Sequence, residues 1–151
     1  MSAMKLSPEQ QAALRSMRQI YRMVCPGSGF SAELMTAIFA HETNGGISVV
    51  WKKATNPGGI KFRGSFFITS CFPVYQSTVR SVRYASYPNS WVAAVAHVLF
   101  LRQVRYATAR DKGLKDAVEQ LARAGYIGPG PGEPANWING VLRWEEAIRE
   151  L

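Results

Sequence analysis

The stretch Ser31 to Gly46, SAELMTAIFAHETNGG, leaves its backbone little choice. Ser31 can accept one of the unpaired N–H groups of a helix start, and Glu33 suits the positive first turn. Leu34, Ile38 and Glu42 fall in one i, i+4 row with Met35 and Phe39 beside them, so a carboxylate continues the apolar face. Asn44-Gly45-Gly46 then stops the helix, because Asn and Gly accept the left-handed backbone of a C-terminal cap. A carboxylate there is disfavoured twice, by apolar surroundings and by the negative helix end, and both push its pKa upward. An acid that keeps its proton near neutral pH is what a glycosidase needs to protonate a leaving oxygen. The plain alternative is a helix-end Glu facing solvent or pairing with Lys52, Lys53 or Lys61.

Around this helix the chain reads as one mainly helical α+β domain over residues 1–151, with residues 1–6 expected to fray. Ser7-Pro8-Glu9-Gln10 opens a helix with a capping box, and Leu14, Met17, Tyr21 and Val24 give its buried stripe. Arg15, Arg18 and Arg22 form a basic outer face, and Cys25-Pro26-Gly27-Ser28-Gly29 turns the chain into the Glu42 helix. Between Ile47 and Ser90 the helical period disappears. Phe66–Thr69 and Val79–Tyr84 are the strand candidates there, which predicts a small antiparallel lobe inserted after the Glu42 helix. Asn89 or Ser90 caps the next helix, from Trp91 to about Tyr106. It is apolar on nearly every side and therefore predicted to be central, with Trp91 in the core. A short helix over Leu114–Ala124 ends at Gly125, and the Pro-Gly-rich loop Tyr126–Pro134 follows. Asn136 is the expected cap of a last helix carrying Trp137, Val141, Leu142 and Ile148.

Charge narrows the partners. Eighteen Lys and Arg against ten Asp and Glu give a net charge of +8, which favours a polyanion: nucleic acid, an acidic membrane surface or the anionic polymers of a bacterial wall. No Lys/Arg-dense recognition helix or paired aromatic-basic motif is present, so nucleic acid is not the expected partner. The longest apolar run, Trp91 to Leu101, is broken by His97 and falls short of the ~20 residues a membrane span needs. His41, His97, Cys25 and Cys71 show no metal-ligand spacing, so neither metal nor cofactor is expected, and His97 reads as a hydrogen-bonded core residue. Cys25 and Cys71 permit one disulfide without requiring it. The N-terminus MSAMKLSPEQQ lacks the apolar segment of a signal peptide.

A helix ending in Glu, a Gly turn and a small β lobe form the layout of lysozyme-like glycosidases. More specifically, the chain resembles the bacterial cell-wall β-N-acetylglucosaminidase family of autolysins, flagellar rod-cap hydrolases and phage lysins. Ala40-His41-Glu42-Thr43-Asn44-Gly45 is similar to the family's Ala-x-Glu-(Ser/Thr)-Gly acid motif, and Asn56-Pro57-Gly58-Gly59-Ile60-Lys61 to its Asn-x-x-Gly-Ile-Lys. Val82-Arg83-Tyr84-Ala85-Ser86 and the helix after it, Arg105-Tyr106, and Ala124-Gly125-Tyr126 match three further motifs in order, over roughly residues 30 to 148.

The resemblance implies hydrolysis of the β-1,4 bond between N-acetylglucosamine and N-acetylmuramic acid, with Glu42 as general acid; the chain is expected to act as a monomer. Tyr126 would position substrate or water beside it, or else only pack back on the preceding helix end. Asn56, Gly59 and Lys61 would line the cleft floor, where the alternative is a plain turn into a strand. Trp51, Phe62, Tyr84, Tyr87 and Trp137 are the aromatics available for sugar stacking, with Tyr84 and Trp137 the chosen pair. The family's second acid, in the β lobe, has no counterpart, since no Asp or Glu lies between Glu42 and Asp111. A nucleophilic 2-acetamido group of the substrate, lytic transglycosylase or muramidase chemistry with a single Glu, or glycan binding without cleavage all remain open. Glu133 is the possible second carboxylate; its alternative is service to the first turn of the last helix. Without a leader, delivery to the wall is expected through phage lysis, a virion or a secretion system.

Overall fold

The computed structural model describes residues 4–64, 66–77, 81–128 and 133–151. Helix α1 (Pro8–Val24) starts on the expected capping box: the Gln10 amide donates to Ser7 Oγ at 3.1 Å, and the Ser7 amide donates to Gln10 Oε1 at 2.9 Å. Its buried stripe is Leu14, Met17, Ile20 and Tyr21, with Val24 half-buried. Helix α2 (Ala32–Thr43) follows, its Leu34 amide held by Ser31 Oγ and its end marked by Asn44 at φ +51°. Thr36 and Thr43 lie buried in α2, and each hydroxyl donates to the carbonyl four residues earlier at 2.6 Å. With those hydroxyls satisfied internally, the helix can be enclosed by α1, α6 (Leu114–Arg123) and α7 (Ala135–Arg149).

The region after α2 departs from expectation. Helix α3 (Val49–Ala54) forms where no helical period is visible; it is only six residues long and rests on the Ser48 cap. Phe66–Thr69 is not a strand: Phe67–Ser70 makes a single helical turn, α4, because Thr69 Oγ1 bonds the carbonyls of Arg63 and Phe66 and closes the chain on itself. The antiparallel pair is instead β1 (Val74–Gln76) with β2 (Arg83–Ala85), in the register Val74–Ala85, Tyr75–Tyr84 and Gln76–Arg83. Only Arg83 and Tyr84 of the expected Val79–Tyr84 strand belong to it; residues 79 and 80 lie outside the described residues. Lys61 adds an antiparallel bridge to Tyr84.

Helix α5 (Ser90–Leu101) is capped by the Asn89 side chain and ends before Tyr106, which sits in a separate 3-10 segment, Val104–Ala109. It is not enclosed on every side. Trp91, Val95 and Leu99, one i, i+4, i+8 row, are 46%, 41% and 46% exposed, so Trp91 is not a core residue. Helix α6 ends in a Schellman turn, in which the Tyr126 amide donates to the Leu121 carbonyl and the Gly125 amide to that of Ala122. Helix α7 begins at Ala135, so Asn136 is inside it rather than its cap; the Glu133 carboxylate serves the first turn instead, accepting from the Trp137 amide at 3.2 Å.

The main core joins α1, α2, α5, α6, the 3-10 segment and α7, and a smaller cluster of Ile60, Ala85, Tyr87, Ala93 and Ala96 holds the β lobe to α5. The architecture is therefore the expected one, mainly α with a small antiparallel lobe after α2. Cys25 is buried and Cys71 exposed, and both are free thiols; burial pushes the Cys25 thiol up to about 12. Among the described residues no helix is long and apolar enough to cross a membrane, and no cluster of His, Cys, Asp or Glu is placed to hold a metal.

Candidate active site

Glu42 sits in the last turn of α2, half-buried, with Trp137 of α7 directly opposite. The Trp137 indole Nε1–H donates to Glu42 Oε1 at 2.8 Å. None of the lysines that could have paired with Glu42 does so; Lys52 binds Glu9 at 2.7 Å instead. Burial raises the Glu42 pKa from an ordinary 4.5 to about 7, the indole bond pulls it back, and the charge of Glu133 pushes it up again. The net result is a carboxyl group that holds a proton near neutral pH, the requirement for a general acid.

The seam that brings α2 and α7 together depends on Gly140. A Cβ at that position would lie 2.3 Å from His41 Cε1, so a bare Cα is what lets the imidazole come this close to α7. The His41 ring meets Trp137 edge-on at 6.4 Å between centroids. Burial lowers the His41 pKa, against the opposing charge of Glu133.

Tyr126 packs back on the end of α6, as one of its two alternatives had it. Its backbone closes the Schellman turn, while its ring packs on Trp137 at 5.1 Å and on Tyr106 and Phe100 at 5.9 and 6.1 Å. Burial, and then the nearby Glu42 charge, hold its hydroxyl well above the ordinary tyrosine range. Behind it lies His97 of α5, fully buried, with Nε2 3.4 Å from the Tyr126 hydroxyl and Nδ1 2.7 Å from the Tyr21 hydroxyl. A side chain on Gly58 would begin 2.7 Å from His97 Nε2 and 3.1 Å from the Tyr126 oxygen. The Asn56–Lys61 turn is thus laid directly over this pair.

That turn is held from inside, which corrects the reading of Asn56 as cleft floor. Asn56 is 1% exposed: Nδ2 donates to the carbonyls of Ile60 and Ala85 at 2.9 and 2.8 Å, and Oδ1 accepts from the amides of Ile60 and Gly58 at 2.8 and 3.4 Å. With every polar atom spent on backbone, it has none left for a sugar. Gly59 is exposed at φ +62°, a conformation that accounts for the glycine without any ligand. Lys61 is exposed and Tyr84 half-buried, and they meet each other across the lobe; among the described residues no hydrogen bond, ion pair or ring contact joins either to Glu42.

Glu133 is exposed, bonded to the Trp137 amide and close enough to raise the Glu42 pKa, so Trp137 carries one carboxylate on its indole and the other on its backbone. Glu42, Tyr126, Trp137 and Glu133 come together, whereas Asn56, Gly59, Lys61 and Tyr84 belong to the lobe. Sequence reading missed Gly58 and Tyr21. The one available signal for Gly58 was that a lone positive-φ turn residue needs only one glycine, and the motif has two.

The fold has counterparts of known structure. The fold matches the peptidoglycan hydrolase from Sphingomonas sp. A1 at a TM-score of 0.77, with 21% identity over 93% of this chain and 91% of that one. It matches the glycoside hydrolase domain of FlgJ from Salmonella typhimurium at 0.74, with 20% identity over 93% and 89%. The catalytic domain of the autolysin Auto from Listeria monocytogenes gives 0.67, with 19% identity over 98% and 90%. At such identities the likeness is one of fold. No curated protein matches the chain by sequence. Residues 18–149, however, match the glucosaminidase family, described as mannosyl-glycoprotein endo-β-N-acetylglucosaminidase, and by that match the chain belongs to this family and is a glycoside hydrolase.

Proposed function

We propose that the protein cleaves β-1,4 glycosidic bonds of the peptidoglycan glycan strand, on the reducing side of N-acetylglucosamine, with Glu42 as general acid. The observation that carries this reading is the half-buried Glu42 carboxyl, bonded by Trp137 and raised to a pKa of about 7. Fold likeness to hydrolases named for peptidoglycan supports the substrate, and the net charge of +8 suits an anionic wall polymer. The wall is accordingly the place of action, reached by lysis or secretion, and the protein works as a monomer.

The β lobe offers no carboxylate as base or nucleophile. The substrate's 2-acetamido group fills that role in this reading. Its carbonyl oxygen bonds to the anomeric carbon as the C1–O bond breaks, and Glu42 gives its proton to the departing oxygen. Water then attacks the anomeric carbon and returns a proton to Glu42, the C1 bond to the acetamido oxygen breaks, and the acetamide is restored with retained configuration. Tyr126 orients the acetamido group or the water beside Glu42.

Mass spectrometry of fragments released from purified peptidoglycan tests the proposal. Wild-type protein is expected to release fragments ending in reducing N-acetylglucosamine, and Glu42→Gln to release them about 10²–10⁴-fold more slowly. Reducing muramic-acid ends would replace the reading by a muramidase, anhydro ends by a lytic transglycosylase. No release at all would remove peptidoglycan as substrate.

A further inference from the structure

Three aromatic groups are joined in sequence behind the proposed site: buried Tyr21 on α1, buried His97 on α5 and half-buried Tyr126 after α6. Tyr21 and His97 are each 0% exposed, so neither can touch a glycan. The His97 ring carries one proton, since burial pushes its pKa down to about 3 and keeps the imidazole neutral wherever the enzyme works. Which nitrogen holds that proton is decided by Tyr21. Among the described residues, the Tyr21 hydroxyl has His97 Nδ1 as its single hydrogen-bond partner, at 2.7 Å. If Nδ1 carried the proton and donated to Tyr21, the Tyr21 hydrogen would be buried with no acceptor, an expensive arrangement. If Tyr21 donates to Nδ1, Nε2 carries the imidazole hydrogen and the one hydrogen left without a partner in the line is that of Tyr126, which is half-buried rather than sealed in like Tyr21.

We infer that Tyr21 fixes His97 as its Nε2–H tautomer, and that His97 thereby acts as the positioning residue of Tyr126: it donates into the Tyr126 oxygen and turns the Tyr126 hydroxyl hydrogen outward, toward the sugar beside Glu42. This inference rests on the proposed function for the identity of what Tyr126 faces. The Nε2 to oxygen separation of 3.4 Å lies at the long end of hydrogen-bond distances, as catalytic contacts without substrate often do. Gly58 seals the pair from the lobe side, because its bare Cα leaves no room for a side chain or for water between the turn and the two polar atoms. Without that fixed donor, Tyr126 is free to point its hydrogen back at Nε2 and offers the substrate only a lone pair.

The protein has only two histidines, His41 and His97, so nitrogen-15 NMR of histidine-labelled protein reads the tautomer directly, with His41→Asn assigning the signals. Nε2 of His97 is expected to be the protonated nitrogen, and Tyr21→Phe to mix the two tautomers. Kinetics on peptidoglycan supply the second arm. Tyr21→Phe is expected to lower kcat about 5–10-fold with KM within about twofold, although its ring never meets substrate. In a Tyr126→Phe background the same change should have no further effect, because the two act as one unit. His97→Gln, which keeps an amide donor, should recover part of the rate that His97→Leu loses. A protonated Nδ1 in the wild-type protein overturns the inference outright. So does a Tyr21→Phe enzyme with lowered thermal stability and unchanged kcat, or losses that multiply in the double variant. Wild-type protein inert on peptidoglycan would instead sink the substrate assignment, while the NMR result still decides for or against the tautomer.

Discussion

Helices α2 and α5 have the same length and carry one candidate residue each, Glu42 and His97, yet α5, the more apolar of the two, is the less enclosed. Helix α2 is enclosed by α1, α6 and α7, and even its threonines are buried. Helix α5 packs on α1 and α4 and leaves the Trp91, Val95, Leu99 row open to solvent. Apolar content alone therefore did not choose the central helix. Glycines at its seams distinguish it: a Cβ on Gly45 would lie 2.9 Å from the Trp144 ring, one on Gly46 2.7 Å from Ala13 Cβ, and one on Gly140 2.3 Å from the His41 ring, so bare Cα atoms let α1 and α7 close on α2. The consequence is functional. The enclosed helix presents its acid from a rigid platform, and the half-open helix supplies a buried polar backing from its inner face.

Truncation should expose the difference most strongly. Ile38→Ala, at a fully buried site in α2, is expected to cost about 2–5 kcal/mol, and Leu99→Ala, on the open row of α5, less than about 1 kcal/mol. Urea unfolding of the two variants measures both. A Leu99→Ala cost equal to that of Ile38→Ala would mean the α5 row is covered in solution, and the contrast between the helices would disappear.

The amino-acid pattern carried this contrast only in part. The Ser31 cap, the Asn44 stop and the position of Glu42 on the apolar row were legible because each is a local rule with a short reach along the chain. The loss of helical period after Ile47 and the β-branched, aromatic composition that follows gave the lobe and its place after α2. What stayed hidden depends on partners distant in sequence. Asn56 looks like a turn residue until Ala85, twenty-nine residues on, is found to accept its amide. Trp91 looks like core because a continuous apolar helix does not reveal which of its sides lacks a neighbour. Phe66–Thr69 has strand composition, and the Thr69 hydroxyl overrides it with local bonds. Glu133 was legible in its service to the first turn of α7, since an acid just ahead of a helix start is a local signal.

Acid–base stability should separate the two helices next. Glu42 ionises at about 7 in the folded protein and near 4.5 when unfolded, so the native state loses stability as pH rises between those values. Glu42→Gln is therefore expected to stabilise the protein by about 2–3 kcal/mol at pH 8, and by almost nothing at pH 4, where the carboxyl is protonated in both states. His97 acts with the opposite sign. Its folded pKa lies below the unfolded value, so its contribution is lost as pH falls from about 6.5 toward 3. Denaturation midpoints of wild type and Glu42→Gln across this range check the alkaline side; equal midpoints at pH 8 would show that Glu42 is not desolvated.

A smaller effect belongs to the end of α2. Thr43 Oγ1 donates to the Phe39 carbonyl at 2.6 Å and accepts from the Gly46 amide at 2.8 Å, tying the Gly turn to the helix that carries Glu42. Thr43→Val keeps the shape and removes both bonds, which should cost about 1–2 kcal/mol because the Gly46 amide is left buried without a partner. Thermal unfolding measures the cost, and hydrogen exchange should show faster exchange of the Gly46 amide while α5 amides stay unchanged.

The finest test sets the two ends of Trp137 against each other. Its indole N–H stabilises the Glu42 carboxylate and lowers the pKa, whereas the Glu133 carboxylate on its backbone amide repels that charge and raises it. Since a general acid works only while protonated, the alkaline limb of the proposed activity follows the Glu42 pKa and falls through about 7. Trp137→Phe removes the indole bond and should move the limb to higher pH, at a reduced maximum because the acid is less well held. Glu133→Gln removes the repelling charge and should move it to lower pH, leaving the maximum nearly intact. Because Glu133 is exposed and its charge screened, its shift should be the smaller, well under one unit. Both profiles come from initial rates on peptidoglycan between pH 5 and 9 at fixed ionic strength, on the order of the physiological 0.15 M. Shifts in the same direction would mean that the limb reports some group other than Glu42, and an unchanged limb with a tenfold lower maximum in Glu133→Gln would make Glu133 a participant in the chemistry rather than a neighbour of it.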